Sequence, residues 1–298
     1  MASLRKLIFP LIILFALFAC TGKPEAEDRP EQTESYQETP ATEIEEEQPQ
    51  EAPKGKPTTL QSYEYNWSKG DDMPDVVIII DDFGNSAGQL LDDFGDLPSE
   101  FVFAVLPDLA HTKTAANVAT RKGHEVIIHI PMEAENSKIS PGKKYISKNM
   151  DEAELKAALD DFFQQLPMAI AANNHMGSAT TANLETMNKV LGHLKKEGLF
   201  FIDSATTSHS AVYTAAKQQD IFIAKRDIFL DVPDVSDKSL TKKIQDLGKF
   251  KGRKEPIIII THCHDRAKLE GLQKFVTQIK AMGINVVSLR DAFSKSIS

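Results

Sequence analysis

From residue 76 onward the chain alternates short apolar runs with longer amphipathic stretches. The runs are VVIII (76–80), FVFAVL (101–106), EVIIHI (125–130), MAIAA (168–172), LFFID (199–203), IFIAK (221–225), PIIIIT (256–261) and INVVSL (284–289). They are rich in Val, Ile and Phe and show little polar alternation, the pattern of strands buried on both faces and therefore parallel. Between them lie helical periods. DEAELKAALDDFFQQL begins at Asp151, a good N-cap residue, and repeats apolar side chains every three or four positions. NLETMNKVLGHLKKEG and RAKLEGLQKFVTQIKAMG end at Gly198 and Gly283, where a glycine C-cap is expected. This alternation predicts an α/β fold, a (β/α) barrel of seven or eight units, with a doubly wound open sheet as the competing arrangement. The stretch PMEAENSKISPGKKYISKNM (131–150) has neither period. A loop of that length following a strand is expected to be functional or disordered.

In parallel α/β folds, reactive groups gather at the carboxyl ends of strands. The first run ends in Asp81-Asp82, the third carries His129, and the fourth leads into Asn173, Asn174 and His175. The fifth ends at Asp203-Ser204, the sixth reaches Arg226-Asp227, and the seventh leads into His262-Cys263-His264. A single rim thus receives titratable or amide side chains from most of the strands. The adjacent acids carry the most information. Two close carboxylates repel, and one stays protonated unless a cation intervenes. A turn at the strand end can bring both to one centre, where one ligates a divalent metal and the other accepts a proton from water. A helix cap near Ser86 would occupy only one of them.

Of the eight histidines, His193 reads as a surface residue in mid-helix, and His111 and His209 as groups near helix starts. His124 and His129 lie on one strand at odd spacing and point to opposite faces. His129, His175, His262 and His264 remain, and one or two imidazoles with a carboxylate and water make a catalytic zinc sphere. No phosphate-binding G-x-x-x-x-G-K-[ST] and no H-E-x-x-H is present. Cys263 reads either as a nucleophile or as a small buried residue at a strand end.

The formal net charge of −9 is unevenly distributed. Residues 24–53 are crowded with Glu, Pro and Gln, the composition of a self-repelling disordered linker. No Lys/Arg cluster is interleaved with aromatics, so nucleic acid is not an expected partner. Arg5 and Lys6 precede the apolar run LIFPLIILFALFA, too short for a comfortable membrane span and typical of an export signal. The run ends at Cys20, and this junction resembles the lipobox of bacterial lipoproteins. The expected organisation is a signal peptide over 1–20 with lipidation at Cys20, an acidic tether over 21–72, and a folded domain over 73–298. The tether would have a reach of roughly 40 Å. The chain would then be exported and held in the cell envelope by a lipid anchor. Besides Cys20 the only cysteine is Cys263, so no internal disulfide is expected in the mature domain.

IIIDDFG, GHEVIIHIPME, NNHMGS, FFIDSAT, RDIFLD and THCH occur in this order along the chain. In these segments the sequence resembles the divergent polysaccharide deacetylase family of the YibQ type, over roughly residues 74–294. The resemblance implies a distorted (β/α) barrel of the glycoside hydrolase/deacetylase type. It also implies kinship with metal-dependent deacetylases of chitin oligomers or peptidoglycan. In those enzymes a T-F-D-D-G motif supplies the base and then a metal ligand, which makes Asp81 the catalytic base and Asp82 the ligand. Their H-[ST]-x-x-H pair has no counterpart here, and His129 and His175 are expected to replace it around a divalent metal, zinc foremost. Their L-x-H acid is matched most nearly by His262. The implied activity is removal of N- or O-acetyl groups from a glycan. Asn173, Asn174, Asp203 and Arg226 are expected to bind sugar hydroxyls or orient ligands, with an Asp203–Arg226 salt bridge as the plainer role for that pair. A catalytically silent domain that binds glycan or an envelope partner is the alternative.

Overall fold

The computed structural model describes residues 72–136 and 138–294. The signal peptide, Cys20 and nearly all of the tether lie outside the described residues. In chain order the elements are β1 (Val76–Phe83), α1 (Gln89–Gly95), β2 (Val102–Val105), α2 (Thr112–Arg121), β3 (Val126–Met132), α3 (Glu152–Gln165), β4 (Ala171–Met176), α4 (Ser178–Thr181) and α5 (Leu184–Lys196). They continue with β5 (Phe200–Asp203), α6 (Val212–Gln219), β6 (Ile223–Lys225), β7 (Ile228–Phe229), α7 (Asp237–Leu247), β8 (Ile257–His262), α8 (Arg266–Ala281) and α9 (Leu289–Phe293). The helix limits follow local chemistry. Asp151 and Glu154 form a reciprocal capping box at α3, and the Asn183 side chain caps α5. No helix among the described residues is long and apolar enough to cross a membrane.

All strand pairings are parallel, in the order β6-β5-β4-β3-β2-β1-β8-β7. The two outermost strands are consecutive in the chain, with only Arg226 and Asp227 between them. Their facing ends are therefore at most about 11 Å apart, and the sheet must curl until its first and last strands meet. The result is a barrel, distorted at the seam because β6 and β7 share no ladder among the described residues. Asp227 stitches the seam to β8: its N–H donates to Ile258 O and its carboxylate accepts from Ile258 N–H. Arg253 clamps the same carboxylate with two bonds of 2.7 Å.

The sheet divides the apolar residues by parity. Val77, Ile79, Ile127, Ala171, Ile258 and Ile260 pack together inside the barrel, while Val76, Ile78, Ile80, Ile128 and Ile259 pack against the helices. Leu289 and Phe293 of α9 join the inner cluster, beside Phe200 and Phe222 near the strand starts. This short helix closes the amino-terminal end of the barrel, with its Leu289 N–H held by the Glu125 carboxylate at 2.8 Å. The opposite end is left for chemistry.

The strand expected at 284–289 does not form. Val286 makes only an isolated bridge to Val76, and Ser288 instead caps α9 through its side chain. The eighth strand is Ile228–Phe229, too short for its period to be read from sequence. The aperiodic stretch 131–150 is tied down at its ends, where Met132 bridges Ile146 and the Glu133 carboxylate accepts from Lys148 N–H.

Candidate active site

Strand alternation alone aims most of the candidates. Continuing the inward parity of Val77 and Ile79 brings Asp81 inward at the carboxyl end of β1. The same rule brings His129 inward after Ile127, Asn173 and His175 after Ala171, and His262 after Ile260. Asp81 is the register partner of His262, and His129 that of Asn173. Asp82 has the wrong parity and is turned by the backbone. The β1–β2 register breaks between Ile80 and Phe83, and Asp82 has φ 72°, a left-handed conformation that Asp tolerates better than most residues. Gly84 completes this turn at φ 115°, where a Cβ would lie 3.1 Å from Leu106 O. After His175 the chain turns through Gly177 at φ 89°, where a Cβ would come within 2.8 Å of the Met132 side chain.

Asp82, His129 and His175 meet, with one donor atom from each lying within 4.8 Å of the others. His175 Nδ1 is 2.9 Å and His129 Nε2 is 3.2 Å from Asp82 Oδ1. Yet that oxygen is buried and accepts no well-formed hydrogen bond. Three ligand-type atoms thus face a common space, the two ring nitrogens lying 3.2 Å from each other. One carboxylate and two imidazoles in that arrangement fit a divalent cation, zinc included. Asn173 sets the tautomer on one side. Its amide N–H donates to Asp81 Oδ1 at 2.8 Å, so its Oδ1 faces His129 Nδ1 at 2.7 Å and accepts from it. His129 Nε2 is left as the ring atom for the cation. Asp82 Oδ2 lies 2.6 Å from His264 Nε2.

The charges are strongly coupled. Burial raises the Asp81 carboxyl above the ordinary range, against the opposing pull of His129 and His262. Burial acts the same way on Asp82, but the neighbouring His129, His175 and His264 outweigh it and hold that carboxyl far below. Burial would lower His129, but the charge of Asp81 and the adjacent Asp82 carboxylate hold it up at about 9. The metal-free domain is therefore expected to lose stability as pH rises. The His129 contribution is complete below its ordinary 6.5 and disappears as pH passes about 9. Asp81, also raised, acts in the same direction, whereas Asp82, held low, contributes stability that is lost as pH falls below the ordinary carboxylate range. Urea midpoints with chelator at about pH 6, 7.5 and 9 check this, and a profile that rises with pH would refute the assignment.

His262 forms a dyad that sequence reasoning missed. Its Nδ1 lies 2.9 Å from the carboxylate of Asp231, which is also 2.8 Å from Lys268 Nζ. Burial would raise Asp231, but His262 and Lys268 hold it down to about 2. Burial would lower His262, and Asp231 raises it instead. The available signal was the Asp that closes RDIFLD, a carboxylate just beyond a strand. His264 was noticed as a rim histidine, but not as the partner of Asp82.

Other expectations change. Asn174, Asp203 and Arg226 have their polar atoms engaged with the protein itself. Asn174 donates to Met176 O and accepts from Ser204 N–H. The Asp203 carboxylate accepts from Ala205 N–H and the Ser210 hydroxyl. Arg226 donates to the Ser204 and Ala205 carbonyls and lies over the Phe229 ring, without forming the anticipated salt bridge to Asp203. Asn173, by contrast, orients His129 and Asp81, one of the two roles expected of it. His193 is buried rather than exposed, stacked on Phe163 and bonded to Asp160 at 2.9 Å. Neither Asp81 nor Asp82 caps a helix, since α1 starts after Gly88 without a side-chain cap. Cys263 is buried and its thiol is pushed well up by burial, which removes it as a nucleophile. GNSAG (84–88) has the spacing of a serine nucleophile elbow, but Ser86 is exposed and no histidine bonds it among the described residues.

The fold and site define a (β/α) barrel protein with a candidate metal centre at the carboxyl ends of its strands. The chain belongs to the divergent polysaccharide deacetylase family, whose model matches residues 78–293. It is 37% identical over 159 residues to the uncharacterised protein YibQ of Escherichia coli K12, covering 52% of this chain and 48% of that one. An uncharacterised protein of Haemophilus influenzae is 31% identical over 157 residues, covering 52% of this chain and 55% of that one. The matched part thus spans about half the length of these relatives. Among solved structures, an uncharacterised protein of Agrobacterium tumefaciens C58 shares the fold, with a TM-score of 0.67 at 21% identity over 78% of this chain and 94% of that one.

Proposed function

We propose that the domain hydrolyses acetyl groups on a cell-envelope glycan, peptidoglycan or a chitin-like oligomer, with the help of a divalent metal. The observation that carries this reading is the pairing of Asp81 with His262 across one ladder position, beside the Asp82–His129–His175 cluster. Asp82, His129 and His175 would hold the ion. A zinc ion there supplies Lewis acidity toward a carbonyl and makes water more acidic.

The protein's own groups supply the proton transfers. Asp81, whose carboxyl burial makes more basic than usual, is suited to accept a proton from the attacking water. Asn173 holds that carboxylate in place at 2.8 Å. His262 donates a proton to the departing amine or alcohol. The Asp231 carboxylate on its Nδ1 orients the ring and stabilises the imidazolium, leaving Nε2 as the exchanging atom. One proton of the attacking water goes to Asp81 and the other stays on the acetyl carboxyl and is lost to solvent as acetate leaves. The amine or hydroxyl takes its proton from His262, and loss of the Asp81 proton with reprotonation of His262 restores the pair. The engaged polar atoms of Asn174, Asp203 and Arg226 support a role in shaping the mouth rather than in gripping sugar.

The test is zinc content together with acetate release from acetylated chitooligosaccharides and peptidoglycan fragments. The expected result is about one zinc per chain and turnover that chelation abolishes. Bound zinc with no acetate from any of these substrates would favour a glycan-binding domain instead. The lipobox-like Cys20 and the acidic segment 21–72 support export and lipid anchoring. The chain is then expected in the membrane fraction, and Cys20→Ala is expected to release it; an unchanged distribution would refute the anchor.

A further inference from the structure

A chain of polar contacts joins the two halves of the mouth through a lysine that the mechanism above does not use. The Asp231 side chain is only 1% exposed, and its carboxylate contacts both His262 Nδ1 and Lys268 Nζ. The same ammonium lies 3.2 Å from His264 Nδ1, and His264 Nε2 lies 2.6 Å from Asp82 Oδ2. Lys268 sits in the first turn of α8, where its backbone N–H donates to the capping Asp265 carboxylate at 2.9 Å. The base of the side chain is therefore fixed while its tip spans two partners.

The hydrogen-bond inventory makes this geometry directional. An ammonium only donates. His264 Nδ1 must then accept, and a neutral imidazole with a bare Nδ1 carries its hydrogen on Nε2. That hydrogen donates to Asp82 Oδ2. We propose that Lys268 is a positioning residue that sets the His264 tautomer and thereby ties up one oxygen of Asp82, leaving Oδ1 to face the cation site, while it holds Asp231 against His262. The two functional halves, the ligand carboxylate and the proton-donating dyad, share this one side chain. The consequence for a cation rests on the proposed metal site; the tautomer does not, because it exists without an ion.

Nitrogen-15 NMR of the histidine side chains reads the tautomer directly, on the full chain with chelator. In the wild type, His264 is expected as a single Nε2–H tautomer. In Lys268→Met, which keeps the bulk of the stem, it becomes a mixture or shifts to Nδ1–H. Lys268→Arg, which can still donate to both partners, restores it. In parallel, competition with a chromophoric chelator is expected to show zinc affinity about 10–100-fold weaker in Lys268→Met, and much less weakened in Lys268→Arg. An unchanged tautomer in folded Lys268→Met overturns the proposal, as does an altered tautomer with unchanged zinc affinity. Should Lys268→Met fail to fold, a wild-type His264 carrying its hydrogen on Nδ1 would overturn it equally. A wild type that binds no zinc yet shows the Nε2–H tautomer supports the Lys268 assignment and refutes the metal reading, so the two failures are distinguishable.

Discussion

Asp81→Asn is expected to lower acetyl hydrolysis about a thousandfold while leaving zinc affinity within a few-fold of the wild type. The magnitude is that of removing a positioned general base, about 10²–10⁴-fold. The variant is a clean probe because Asn is isosteric and its carbonyl oxygen can still accept the Asn173 N–H now bonded to Asp81 Oδ1 at 2.8 Å. Asp81 also stands outside the group of atoms that converge on the candidate cation site. Two effects on stability oppose one another. A neutral amide removes the burial penalty on the Asp81 carboxylate, but it also removes the charge that does most to hold the buried His129 up at about 9, so the decline in stability with rising pH should flatten. Rates at saturating zinc, chelator competition and urea unfolding on one preparation separate the three effects. Activity close to that of the wild type would remove Asp81 from the role of base.

Asp82→Ala is expected to do the reverse and abolish tight metal binding. The loss should exceed the about 10–100-fold that follows from disturbing groups around a metal's ligands, because the shared oxygen of the cluster disappears. The metal-free protein should also be destabilised by about 3–5 kcal/mol, the usual cost of removing one member of a buried charged pair. His129, His175 and His264 all lose their common acceptor. The decline in stability with rising pH should flatten as well, since the Asp82 carboxylate is one reason that His129 is held up at about 9. Titration with zinc and urea midpoints across pH measure these effects. Unaltered zinc affinity would show that the cation, if bound, sits elsewhere.

Parts of this architecture were legible in one dimension. The runs at 76–80, 101–106, 125–130 and 256–261 became strands because an unbroken Val/Ile series has few ways to be buried other than within a parallel sheet. Asp151, Gly198 and Gly283 marked helix limits because capping depends on neighbours three or four residues away. The convergence of Asp82, His129 and His175 could be expected once their strands were placed side by side, and the geometry brings them together. His193 was misread because its burial depends on Phe163 and Asp160 of another helix, to which its own helical period is blind. The run INVVSL looked like a strand in isolation, but the barrel had its seam filled by Ile228–Phe229 and its lower end in need of a plug.

Local patterning, then, decided which segments extend, where helices stop, and which acids and imidazoles arrive at the rim, since each of these depends on periods of two or about four residues. The curl of the sheet decided the rest. It turned Asp82 inward through a left-handed residue and set Asp231 on His262. It also brought Asp231 to Lys268, which bonds His264 one helical turn away. The Asp231–His262 and Asp82–His264 contacts join residues 31 and 182 positions apart, and no short-range preference encodes a distance that only closure of the barrel creates.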